Sequence, residues 1–277
     1  ASAGMRLELR TDADALSFNY RVVSASSRTF YSIDLYVDGV FCDEVYVMNV
    51  LRQKDGHVRF ALPAGEHRVT VFFSNLMRTD ISEIVLEDAS FAEPIPMKTK
   101  ILFLGDSITQ GYDALRSHVR YTSLLADKLG AEELNKGIGG EVFFPALAQT
   151  KDDFDPDIIT VAYGTNDWVL KDRENFIKDC REFYKTLSDN YKTSKIFAIS
   201  PIWRADKDVE RNFGLFSDIS EEIKKAVADL ENVTYVEGGD LVPQDPKYFA
   251  DFRLHPNDEG FMHYGNNFYE KIVMKKE

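Results

Sequence analysis

KTKILFLGDSITQGYDALRS, residues 98–117, carries an apolar run, Ile101–Leu104, that stops at Gly105, Asp106 and a hydroxyl, Ser107. Consecutive apolar residues closed by a glycine and an acid read as a buried strand, because a strand covered on both faces shows no alternation. Gly-Asp-Ser after a strand is ordinary turn chemistry. Ser107 is therefore either a cap for the next element or a nucleophile presented at the tip of a strand. The tripeptide alone leaves both readings open, and the partners of a nucleophile have to come from elsewhere in the chain.

Downstream, strand and helix signals alternate. Strands are expected at Lys100–Leu104, Ile158–Tyr163, Lys195–Ser200 and Val233–Glu237, with a short one around Glu133–Asn135. Helical periodicity fills the intervals at Val119–Leu129, Arg173–Asn190, Phe216–Leu230 and Asn257–Val273. Short apolar strands separated by helices predict a parallel sheet with helices on both faces. Ligands of such sheets bind outside the carboxyl ends of the strands. Polar residues that carry chemistry should then follow strand ends, and of Ser, Gly, Asn and His, which occur in that order, three lie at strand-to-loop junctions. GTNDW places Asn166 after DIITVAY, KGIGGE places Gly140 after EELN, and DFRLHPNDEG places His255 ahead of the last helix.

Upstream the period changes. MRLELR, LSFNYRVV, SIDLYVDGVF, EVYVMNV, HVRFAL, HRVTVFFS and EIVLEDASF are short alternating segments, with Asp38-Gly39 where a two-residue hairpin turn belongs and Pro63-Ala64-Gly65 at another turn. About seven strands with almost no helical period predict a small antiparallel β-sandwich. AEPIPMKTK breaks both periods with two prolines and sets the boundary near residues 92–98, giving a β-domain over 1–95 and an α/β domain over 96–277.

Composition excludes several classes. A net charge of −13 over 277 residues argues against nucleic-acid partners, which need a basic surface. No apolar run reaches the roughly 20 residues of a membrane span. Two cysteines, Cys42 and Cys180, make neither a disulfide framework nor a thiolate metal site. Of the other histidines, His57, His67, His118 and His263, none pairs with carboxylates at metal-ligand spacing, so they read as surface or packing residues. No cofactor or metal is implied. If Met5 is the natural start and Ala1–Gly4 a remnant, a cytoplasmic location is expected, although a secreted chain stripped of its leader has the same look.

Taken together, GDS at 105–107, NKGIGG at 135–140, GTND at 164–167 and HPN at 255–257 resemble the four signature blocks of the SGNH hydrolases, the GDSL-type esterases and lipases. The resemblance covers about residues 98–277. It implies a three-layer α/β hydrolase domain with Ser107 as nucleophile and His255 as its base. It also implies an oxyanion hole made by the backbone N–H groups of Ser107 and Gly140 and the Asn166 amide. Gly139, beside Gly140, is the alternative donor. Some carbohydrate esterases of this kind carry a jelly-roll-like β-domain ahead of the hydrolase domain, an arrangement similar to this one.

The chemistry fits the residue types: a serine hydroxyl needs a base that works near neutral pH, and the tetrahedral oxyanion needs fixed donors. One departure stands out. The family's Asp-x-x-His block would place the acid at 252, which is Phe252, with Asp251 one residue further back. Either Asp251 completes a triad or His255 works in a Ser–His dyad held by a backbone carbonyl. Trp168 and Trp203, both after strand ends, could wall the site for a sugar ring, an acyl chain or an aryl group, or could simply pack the core. The sequence thus predicts a serine esterase acting on a small neutral ester, with an O-acetylated sugar or oligosaccharide as substrate. The rivals are a lysophospholipase or arylesterase on the same site, and an inactive carbohydrate-binding relative.

Overall fold

The computed structural model describes residues 2–151 and 153–274. They form two compact units, one made of the chain up to Met97 together with Ala114–Val119, the other of Lys98–Asp113 and the chain from Arg120 onward. The excursion Ala114–Val119 is an addition to the first unit that no sequence signal marks.

The first unit holds eight strands: β1 (Arg6–Thr11), β2 (Ala15–Ala25), β3 (Tyr31–Val37), β4 (Val40–Val47), β5 (Asp55–Ala61), β6 (His67–Phe72), β7 (Met77–Glu87) and β8 (Ala92–Pro94). They make two antiparallel sheets, ordered β4-β3-β6-β1-β8 and β5-β2-β7. β1 pairs with β8, β2 with β7 and β3 with β6, the nested pairing of a ribbon rolled on itself; β4 departs from it by pairing with β3. Asp38 and Gly39 both take positive φ, 52° and 80°, and make the expected tight turn between β3 and β4. The sheets meet through alternate apolar side chains. Phe18 of β2 packs edge-on against Phe60 and Phe73, while Tyr20 of β2 and Tyr31 of β3 join both ring edges and hydroxyls.

β3 is buried along its whole length, including Asp34, where alternation would leave every second residue in solvent. Its outer face is covered by the excursion: His118 lies 4.1 Å from the Tyr36 ring and 4.8 Å from that of Phe72. The Ser117 N–H donates to Asp34 Oδ2 at 2.9 Å, and Arg116 makes a two-bonded ion pair with Glu44.

The second unit is a parallel sheet ordered β10-β9-β11-β12-β13, from β9 (Thr99–Gly105), β10 (Ala131–Gly137), β11 (Ile158–Ala162), β12 (Lys195–Ile199) and β13 (Val233–Val236). Its helices are α1 (Ser107–Gln110), α2 (Tyr121–Leu129), α3 (Pro145–Gln149), α4 (Asp167–Leu170), α5 (Arg173–Asn190), α6 (Phe216–Val227) and α7 (Asp258–Met274). Helix α5 buries Phe176, Cys180, Phe183, Tyr184 and Leu187, a stripe at helical spacing, against Leu102, Leu104, Ile159 and Val161. Phe103, one residue out of phase, turns to the other face and meets Tyr121 of α2, whose ring stacks on Tyr264 of α7. Burying each of these rings contributes roughly 1.5–3 kcal/mol, so Phe183→Ala would be felt throughout the unit. Among the described residues no helix is long and apolar enough to cross a membrane, and Cys42 and Cys180 are free thiols.

Candidate active site

Strand register assembles the site. Gly105 of β9 pairs with Gly137 on one side and Ala162 on the other, at the carboxyl ends of β10 and β11, so whatever follows these strands emerges at one edge. Ser107, Gly140 and Asn166 follow them. The residue that caps α1 is Asp106, whose Oδ1 accepts the Ile108 N–H at 2.9 Å, which leaves the Ser107 hydroxyl uncommitted to capping. Gly105 is required because a Cβ there would collide with the Thr109 side chain and the Ala162 carbonyl. Asn135 ties the neighbouring strand to α1, donating to the Thr109 carbonyl at 2.8 Å and accepting from the Gly137 N–H at 2.9 Å.

His255 arrives from the other side on a loop closed at its base. Ala250 N–H donates to the His255 carbonyl at 2.8 Å, and Phe249 bridges Pro256. The Ser107 Oγ lies 3.0 Å from His255 Nε2, and Asp251 Oδ2 lies 2.9 Å from His255 Nδ1. Asp251 Oδ1 accepts three backbone N–H groups, from Arg253 at 3.0 Å, Leu254 at 2.7 Å and His255 at 3.1 Å. The one-residue offset from the family block is absorbed at Phe252, which takes a left-handed φ of 56° and turns its ring to solvent, 69% exposed. That bend lets Asp251 curl back beneath the imidazole.

The electrostatics follow from these partners. Burial pushes the Asp251 carboxyl up, but the Leu254 N–H, the His255 ring and the other N–H donors outweigh it and hold the carboxyl at about 2. Asp106 goes the other way: burial, only partly offset by the Ile108 N–H, raises it to about 7. Asp167 is raised by burial to about 6 despite the nearby Lys171.

The residues expected to donate to an oxyanion follow the same strand ends. Gly140 takes a φ of +81°, which a side chain would strain. Its neighbour Gly139 donates its N–H to Gln110 Oε1 at 3.1 Å, so the Gly139 donor is already occupied. Ser107 is the first residue of α1, where a backbone N–H has no acceptor within the helix. Asn166 Nδ2 donates to the Glu141 carbonyl at 3.0 Å and lies 3.4 Å from Asp106 Oδ2, contacts that fix the orientation of its amide.

The two tryptophans separate. Trp168 does not wall the site: it is 0% exposed, donates Nε1–H to the Gly214 carbonyl at 3.0 Å and packs edge-on against Phe216. The Arg204 and Arg211 guanidiniums lie 4.7 and 4.4 Å from its ring, so the first turn of α4 rotates it into the core. Trp203 is half-buried, rests one side on Phe249 and lines a cleft of about 450 Å³ with Phe216, Ser220, Glu237 and Gln244. The lining of that cleft includes neither Ser107 nor His255. Sequence reading passes over Asp113, whose Oδ2 lies 3.8 Å from His255 Nδ1 with its side chain 7% exposed. An aspartate inside GYDALRS carries no local signal for such a position.

A serine hydroxyl, an imidazole and a carboxylate in one hydrogen-bonded line is an arrangement that serine acylhydrolases use. Comparison with known proteins agrees: residues 103–262 match the model of the GDSL-like lipase/acylhydrolase family, and the chain belongs to that family. It is a carboxylic ester hydrolase. No curated protein sequence matches the chain significantly. Solved structures share the fold over nearly its whole length. The salicylyl-acyltransferase SsfX3 from a tetracycline biosynthetic pathway is 20% identical over 99% of this chain and 83% of its own, at a TM-score of 0.81. A family two carbohydrate esterase from Clostridium thermocellum, in complex with cellohexaose, is 18% identical over 99% and 93%, at 0.74. The acetyl xylan esterase Est2A from Butyrivibrio proteoclasticus is 14% identical over 97% and 89%, at 0.70. At these identities the likeness is one of fold.

Proposed function

We propose that this protein is a serine esterase that removes small neutral acyl groups, O-acetyl groups on a sugar or oligosaccharide first among them, through an acyl-Ser107 intermediate. The observation that carries the reading is the line Ser107–His255–Asp251, with contacts of 3.0 and 2.9 Å. With Nδ1–H donated to Asp251, His255 Nε2 is free to accept the Ser107 proton as Oγ attacks the ester carbonyl. Negative charge then develops on the carbonyl oxygen, where the N–H groups of Ser107 and Gly140 meet it. The Asn166 amide joins them by exchanging the longer of its two contacts, the one to Asp106. The His255 imidazolium returns the proton to the leaving alcohol. A water molecule, deprotonated by the same nitrogen, hydrolyses the acyl-enzyme and regenerates Ser107.

A saccharide substrate is supported by relatives of the same fold named as carbohydrate and acetyl xylan esterases, one of them holding cellohexaose. The half-buried Trp203 offers a flat surface of the kind that C–H bonds of a sugar ring stack on. Competing acetylated xylo-oligosaccharides against octanoyl esters and lysophospholipids tests the assignment. Acetyl should be preferred over octanoyl by at least roughly tenfold, about 1.4 kcal/mol of transition-state discrimination. Faster turnover of the long chains would replace it with a lipase-type activity.

A further inference from the structure

The imidazole of His255 faces two carboxylates, and the reaction as described uses one. Asp113 Oδ2 is 3.8 Å from the same Nδ1 that Asp251 Oδ2 meets at 2.9 Å. Donor and acceptor atoms of the three side chains all lie within 4.8 Å of one another. At 3.8 Å Asp113 is beyond hydrogen-bond length, so its effect on the ring is that of a nearby negative charge. It is a sheltered charge: the side chain is 7% exposed and that of His255 15%.

The backbone supplies a second reason to take Asp113 seriously. Its φ is 73°, a left-handed conformation uncommon outside glycine, asparagine and aspartate. The preceding residue, Tyr112, sets its ring 4.9 Å from the His255 ring. Residues 112 and 113 therefore approach the imidazole with an aromatic ring and a carboxylate together, only five and six positions after the nucleophile. The other groups facing His255 are Ser107 at Nε2 and Asp251 at Nδ1; Arg253, two residues away, lies 3.8 Å from Asp206 instead.

We propose that Asp113 is a second carboxylate for the catalytic imidazole, a positioning residue that favours the Nδ1–H tautomer and supports the imidazolium alongside Asp251. The proposal rests on the Ser107–His255 reading of the site. It has a consequence for Asp251 itself. When Asp251 is neutralised, a modest swing of the ring brings Nδ1–H to Asp113, so the single variant understates what a carboxylate contributes.

Asn tolerates the left-handed conformation, so Asp113→Asn removes the charge without disturbing the turn, and Asp113→Gly removes the side chain with the same backbone freedom. Both variants should lower the acid limb of the pH profile of kcat/KM on p-nitrophenyl acetate by about half to one unit, since that limb reports the free-enzyme imidazole. In the Asp251→Asn background, adding Asp113→Asn should cost at least a further tenfold in kcat, against about two- to fivefold in the wild type. An unmoved acid limb in both variants, or a loss of kcat of the same size in the two backgrounds, overturns the proposal and leaves Asp113 as a turn residue. If Ser107→Ala retains activity, the reading of the site itself fails, an outcome distinct from either.

Discussion

Each unit of this protein shelters an aspartate, and the two carboxyls end up on opposite sides of the ordinary value of 3.8. Asp34, in β3 of the β-unit, is fully buried; burial raises it to about 6, and the Ser32 hydroxyl and the Ser117 and His118 backbone offset only part of that. Its Oδ2 accepts the Ser117 N–H at 2.9 Å, while Oδ1 and the nearby Ser32 Oγ make no hydrogen bond of good geometry. Asp251, in the hydrolase unit, is held at about 2 by three backbone N–H groups and an imidazole. Burial acts on both in the same direction. Asp34 is fully buried and Asp251 only partly, and the balance of burial against donors decides which form wins. One arrangement pins a crossing segment to a sheet, and the other keeps an acid ionised wherever its histidine works.

The largest expected effect falls on the acid that is rich in donors. Asp251→Asn should lower kcat by on the order of 10²–10⁴ with little change in KM, measured on p-nitrophenyl acetate. A loss below about fivefold, persisting when Asp113 is also neutralised, would mean a Ser–His dyad and would remove Asp251 from the comparison. Next comes Asn166→Ala, expected to cost about 10²–10³-fold in kcat as one oxyanion donor disappears. A change confined to KM would assign the amide to substrate binding instead.

The donor-poor acid should show itself in stability. Folded Asp34 holds its proton up to about pH 6, whereas the ordinary carboxyl value is 3.8, so the folded state binds more protons between those values and stability falls as pH rises through the window. Asp34→Asn keeps an oxygen for the Ser117 N–H and removes the buried charge. It should stabilise the protein at pH 8 by on the order of 2–3 kcal/mol in urea unfolding, with the gain fading as pH falls toward 4. A gain independent of pH would mean that Asp34 is not the titrating group. The smallest effect belongs to the partly exposed Arg116–Glu44 pair over the same crossing segment, where Arg116→Ala should cost less than about 1 kcal/mol.

These contrasts also mark what could be read in the sequence. Ser107, Gly140 and Asn166 were legible because each lies in a short block after a strand end, where local pattern and chain topology point to the same edge, and His255 because its block stands just ahead of the last helix. The parallel sheet and the antiparallel β-unit followed from a change of period and from the turn at Asp38-Gly39. Trp168 misled because a place after a strand end says nothing about which way the first turn of a helix rotates the side chain. Asp251 was ambiguous because the bend at Phe252 that restores its reach depends on a backbone conformation that phenylalanine rarely takes. Asp113 and Asp34 owe their surroundings to partners more than eighty residues away in the chain, His255 and Ser117, and no local pattern encodes that.

The account stands most directly on Ser107 as the nucleophile. Treating the protein with a fluorophosphonate and mapping the adduct by peptide mass spectrometry should place a single phosphonyl group on Ser107, with labelling abolished in Ser107→Ala. A folded protein whose adduct lies on another serine, or whose Ser107→Ala variant still hydrolyses p-nitrophenyl acetate at the wild-type rate, would contradict it.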